Sequence, residues 1–180
     1  MKPMTRTTRS GLLRAFAGAM LAASALAFSG VHAAPPSGLL QITGAVKTNL
    51  ELTPEDLKAL PADQISSVTM TRRVDGKEIS STVRGVKLST LLERAAPLAP
   101  DRHAWKHMVV LACGIDGYCV TFSWPELTNT EVGAGVLVIF ERDGEPLGDG
   151  EGQLALVSAR DLNGGPRHVK WLGRVELRLL

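Results

Sequence analysis

Apolar residues recur at every second position through much of this chain. From Val169 the odd positions are Val169, Trp171, Gly173, Val175, Leu177 and Leu179, and the even ones are His168, Lys170, Leu172, Arg174, Glu176 and Arg178. A period of two predicts a half-buried strand with its odd face inward. "LLQITGAV" (39–46) reads as another strand, and so does the Thr- and Val-rich "ISSVTMTRRV" (65–74). "HMVVLAC" and "YCVTFSW" predict a hairpin about the Asp-Gly pair at 116–117, and "AGVLVIF" a fully apolar strand. A second Asp-Gly turn in "ERDGEPL" leads to a strand in "GQLALVSA". Two segments are helical. Thr53 is an N-cap with Pro54 at the first helical position and Asp56 three after the cap, placing Leu57 and Leu60 inward. In "KLSTLLERAAPL", Leu88, Leu91, Leu92 and Ala95 fall at helical spacing and Pro97 stops the run. Strands dominate, the helices are short and there is no βαβ rhythm. The predicted class is α+β with a β-rich, mainly antiparallel core.

The first 33 residues stand apart. Lys2, Arg6, Arg9 and Arg14 form a basic stretch without acids, "GLLRAFAGAMLAASALAFSG" is small and apolar, and Val31 and Ala33 precede a cleavable bond. This pattern predicts a secretory signal peptide over residues 1–33 and a single mature domain over 34–180. The apolar run is short for a membrane span and rich in Ala and Gly. Removing it takes away four cations and no acids, leaving 16 Lys+Arg against 18 Asp+Glu, a net charge of −2. A nucleic-acid surface is not indicated. Both cysteines, Cys113 and Cys119, lie in the mature part and flank "GIDGY". In an exported chain two cysteines this close predict a disulfide across the mouth of the hairpin. A spacing of six with no third ligand nearby is not a zinc site, and the pair is not C-x-x-C.

Four segments, taken in order, resemble one family. They are "RGVKLSTLLERAAP", "DGYCVTFSWPEL", "VLVIFERDGEPLGDGEGQLALV" and "GPRHVKWLGRVEL". They are similar to the molybdopterin-binding domain of sulfite oxidases and their bacterial relatives, and with their surroundings cover roughly residues 40–180. The resemblance implies that family's compact α+β fold with two or three short helices. It also implies, in the catalytic members, a molybdenum held by a cysteine thiolate before the glycine-and-helix segment. Here that region reads "SVTMTRRVDGKEISSTVRG" and has no cysteine, and neither Met70 nor Thr71 replaces a thiolate chemically. Catalytic relatives carry a histidine where this chain has "GEGQLAL", and "TRTTRS" has no twin-arginine pair. These departures predict no molybdenum ligand and no molybdenum catalysis. The chain also resembles small exported pterin-binding regulators that partner inner-membrane enzymes making or degrading cyclic di-GMP. The expected function is therefore a periplasmic pterin sensor. The alternative is a molybdopterin-dependent oxidoreductase.

A pterin offers a flat ring, an amide-guanidine edge and a polar tail, which want a flat neighbour, a carboxylate and cations or hydroxyls. Candidate ligand residues follow from that chemistry. Arg167 and Lys170 carry over from the family's basic terminal motif, and they converge only if Arg167 lies in the turn. Asp116 and Tyr118 occupy the Asp-Gly-Tyr turn, where Asp is also ordinary turn chemistry and Tyr118 offers a stacking face or a hydroxyl. Arg160 and Asp161 end a strand, where a surface ion pair is the plainer reading. Trp171 could stack, but its parity with Val175 and Leu177 favours core packing. Arg73, with Arg72, stands where a metal-binding loop would be and could neutralise an anion. "RHAWKH" (102–107) reads as a solvated loop despite its two histidines.

Overall fold

Alternating strands assemble into two five-stranded sheets in the structure, a computed structural model that describes residues 38–180 except Asp75, and only the backbone of residues 72–74. In the first sheet the order is β2 (Leu50–Leu52), β1 (Leu40–Gly44), β10 (Leu172–Leu179), β5 (Met108–Gly114) and β6 (Cys119–Ser123). Its one parallel contact joins β1 to β10, with Ile42 opposite Val175; the other pairs are antiparallel. The second sheet runs β3 (Ile65–Val74), β4 (Lys77–Lys87), β7 (Val136–Arg142) and β8 (Glu145–Pro146), with β9 (Ala155–Ser158) also paired to β7.

The unbroken apolar run of β7 has a direct cause: both of its faces are covered. Val136, Val138 and Phe140 enter the main core with Ile42, Val110 and Val175 of the first sheet. Leu137 and Ile139 face a smaller cluster with Val83, Leu147, Ala155 and Val157. A strand buried on two sides has no polar face to alternate with. β4 pairs with β7 through Val83–Lys87 only, and its register shifts between Arg84 and Gly85. A Cβ at Gly85 would stand 2.2 Å from the Val138 carbonyl oxygen, so only glycine permits this approach.

Helix α1 (Pro54–Lys58) forms as expected, its Thr53 and Asp56 making a reciprocal capping box. Helix α2 (Leu88–Arg94) buries Leu88, Leu91 and Leu92. A third helix, α3 (Trp124–Asn129), was not foreseen beyond the strand in "YCVTFSW". Ser123 caps it, accepting from the Glu126 amide at 3.1 Å, while Glu126 answers the Ser123 amide. The signal was in the sequence as S-W-P-E, a capping box with an early proline. Short strands β2 and β8 were also missed, being too brief to show a period.

The terminal strand needs one correction. Val169, Val175 and Leu177 are buried as their parity requires, but so is Leu172, while Trp171 is only half-buried. The strand begins at Leu172, its register slips between Leu172 and Arg174, and Trp171 takes a left-handed φ of 46° just before it. That irregularity breaks the two-residue phase, so Trp171 is not a core residue.

Candidate functional site

The connection from β9 to β10 builds most of the site. Ser158 ends β9 buried and donates from Oγ to Asp161 Oδ1 at 2.7 Å. The chain then turns through Gly164, Gly165 and Pro166 and delivers Arg167 back onto Asp161. Arg167 Nε reaches Asp161 Oδ2 at 2.8 Å, and a second guanidinium nitrogen pairs with Asp161 Oδ1. A third points to Glu126 Oε1 of α3 at 2.7 Å, and the guanidinium carbon stands 4.6 Å from the centre of the Phe122 ring. Hydrogen bonds from Arg167 hold the Asp161 carboxyl below the ordinary carboxylate range against its partial burial, with Ser158 helping. Asp161 first, then Glu126, keeps the guanidinium charged despite the same partial burial.

A second cluster adjoins the first. Arg142, at the end of β7, grips Glu151 in a bidentate pair at 3.0 and 2.6 Å and donates to Ser81 Oγ at 2.8 Å. His168 Nε2 lies 2.6 Å from Glu151 Oε1. Burial raises the pKa of Glu151, but the hydrogen bonds of His168 and Arg142 more than offset it and bring it to about 2. Two recesses meet here and share Arg142 and His168. The inner one, about 80 Å³, adds Thr71, Ser81, Ser158, Asp161 and Arg167. The outer one, about 350 Å³ and wide open, adds Gly148, Gly150, Glu151 and Lys170. Hydroxyls and ion-paired charges line the inner recess together with Met70, Val157 and the two glycines, and more of its wall is apolar than polar. Lys170 brings a solvent-exposed ammonium to the outer one, 5.8 Å from the Trp171 ring.

Arg167 and Lys170 thus reach adjoining recesses rather than a common one. The cation expected to meet an anionic ligand, Arg167, is already matched by two carboxylates. Trp171 lines neither recess; its indole N–H donates to the Asp149 carbonyl at 2.9 Å and its ring seats Gly152, where a Cβ would lie 2.6 Å from Cδ1. Asp116 accepts the Tyr118 amide at 3.0 Å, which is turn chemistry, and the Tyr118 hydroxyl donates to the Pro166 carbonyl. Neither faces the recesses. Arg160 and Asp161 do not pair with each other: Arg160 turns outward to Glu131, while Asp161 turns inward to Arg167. Arg73 pairs with Glu78 in the β3–β4 ladder, and its side chain lies outside the described residues. Glu126, Arg142 and Glu151 were not singled out from the sequence, and His168 only as part of a basic group. Glu126 had its capping-box signal, whereas nothing local marks Glu151 within "GDGEG".

Residues 32–179 match the family described as oxidoreductase molybdopterin binding domain. The chain belongs to that family. Among solved structures, the sulfane dehydrogenase SoxCD from Paracoccus pantotrophus is similar, at 22% identity and a TM-score of 0.60. The alignment covers 78% of this chain and 38% of that one, so the likeness establishes a shared fold over part of a longer protein. No curated protein matches the chain.

Molybdopterin-binding domains of this family raise the question of whether the residues here fit a molybdenum. A thiolate anchor does not fit: the chain has two cysteines, and Cys113 and Cys119 are joined in a disulfide across the β5–β6 hairpin. Among the described residues, no three His, Cys, Asp or Glu side chains are grouped to hold a metal ion. An organic ligand without a metal makes no such demand; the charged pairs of the recesses already satisfy one another, and Lys170 offers the outer recess a solvent-exposed charge.

Proposed function

We propose that the protein is a periplasmic pterin-binding ligand sensor that reports to an inner-membrane signalling enzyme, without molybdenum catalysis. In this reading residues 1–33 direct export and are removed, and residues 34–180 act as the soluble domain. The observation that carries it is a pairing of features in one domain. The family's fold keeps a recess with an apolar wall and a charged rim around Arg142, Asp161 and His168, while the chain's two cysteines are joined to each other on the hairpin. The ring edge would face the inner recess, with its hydroxyls and Asp161, and the polar tail would face Lys170. The cyclic di-GMP class of partner rests on the resemblance to small exported regulators.

Titration of the mature protein with reduced and oxidised pterins, followed by tryptophan fluorescence beside elemental analysis for molybdenum, tests this. Saturable pterin binding without molybdenum is expected. Lys170→Ala should weaken binding roughly tenfold, the worth of one charge-assisted contact, and leave melting unchanged because its ammonium is exposed. Arg167→Ala should differ: it strands Asp161 and Glu126 and costs about 2 kcal/mol of stability. Stoichiometric molybdenum in native protein would establish the oxidoreductase reading instead. Wild-type protein that binds no pterin would leave a protein-interaction module.

A further inference from the structure

The segment 166–171 carries Arg167, His168 and Lys170 to the recesses; its preceding turn ties it by one backbone bond, from the His168 amide to the Gly165 carbonyl, while Val169 pairs with Leu156 of β9 and the Trp171 amide donates to the Glu151 carbonyl. Gly164 and Gly165 have open space where a Cβ would stand, and Gly165 holds a φ of 114°. Its restraint comes partly from the tip of the β5–β6 hairpin, which meets the segment at three carbonyls. The Tyr118 hydroxyl donates to the carbonyl of Pro166. The Ile115 amide donates to the carbonyl of Trp171 at 3.0 Å. Between them the backbone at Gly114 comes so close that a Cβ there would lie 2.5 Å from the Lys170 carbonyl oxygen. The tip is itself well determined. Gly114 accepts from Gly117 and donates to Tyr118, Asp116 accepts from the Tyr118 amide, and the disulfide closes the strands behind it.

We infer that this hairpin tip is a strap that sets the ligand-facing segment from behind, and that Tyr118 is its positioning residue. Tyr118 lines neither recess. Its hydroxyl fixes the residue immediately before Arg167, and so the start of the arc on which the guanidinium reaches Asp161 and Glu126. At 46% exposure its ring contributes little to the core, so its role is local order rather than global stability. The effect on binding rests on the pterin reading above; the effect on the segment does not.

Amide hydrogen exchange of the full mature chain, wild type against Tyr118→Phe, separates the two. Tyr118→Phe keeps the ring and removes one hydroxyl. Exchange at the His168 amide, bonded to the Gly165 carbonyl at 2.9 Å, should accelerate roughly fivefold or more, with the melting midpoint moved by no more than about 2 °C. Gly114→Ala, which displaces the Lys170 carbonyl, should accelerate the same amides. Affinity for a tetrahydropterin probe should fall roughly tenfold in Tyr118→Phe. Unchanged exchange at 166–171 in both variants overturns the strap, whatever the ligand. Faster exchange with undiminished pterin affinity overturns its role in binding. A wild type that binds no pterin defeats the pterin reading, and the exchange comparison then decides the strap alone.

Discussion

Arg167 faces two carboxylates and an aromatic ring, which makes it a keystone of the site's interior; in the proposed pterin reading, the exposed Lys170 is the cation that meets the ligand's charge. Glu151 is the matching acid of the second cluster, and its ionisation couples to folding. Its pKa in the folded protein is about 2 against an ordinary 4.5, so the unfolded chain takes up a proton first as pH falls. The stability it contributes is present above about pH 4.5 and is lost as pH falls towards 2, in all roughly 3 kcal/mol. Urea midpoints measured across that window should fall more steeply for wild type than for Glu151→Gln. Parallel curves would show that Glu151 does not carry this share. At this scale the sequence was only partly legible. Its basic group at 167–170 was visible, but the acids that answer it come from α3, from the loop after β8 and from Asp161. Sequence proximity cannot announce a partner 41 positions away, as Glu126 is from Arg167.

Strands and helices were easier to read than side-chain partners, because periodicity is a local property. β3 coincides with "ISSVTMTRRV", α1 carries the expected cap, and β7 is buried on both faces as its apolar run implies. The β5–β6 hairpin was legible down to its crosslink, Cys113 standing opposite Cys119 in the ladder. Loops this short gain a modest stabilisation from closure, about 2 kcal/mol on chain-entropy grounds. Replacing both cysteines by serine should therefore lower the melting midpoint by roughly 5 °C, read by calorimetry under non-reducing conditions. No change would mean that the hairpin's backbone bonds already hold it in full. Where element reading failed, a phase change was responsible. The bulge at Gly173 and the positive φ of Trp171 depend on how β10 meets β5, which the strand's own residues do not reveal.

The family and its fold were legible from four separated segments, since together they mark turns and strands of one architecture in its order. Export belongs to this scale as well. If residues 1–33 direct export as proposed, the processed protein should begin near Ala34, and intact-mass measurement checks it; a species retaining Met1 would refute cleavage. The pairing of β1 with β10 bears on how such a chain acquires its shape. In the first sheet β10 stands in the middle, between β1 and β5, although every other strand of that sheet precedes it in chain order. A polypeptide made from its N-terminus can close the β1–β2 and β5–β6 hairpins early, but the two halves have no common seam until residues 172–179 arrive. The backbone of that sheet is therefore completed only by its last strand, and a chain stopped short of β10 would lack every hydrogen bond that joins the β1–β2 ribbon to the β5–β6 ribbon.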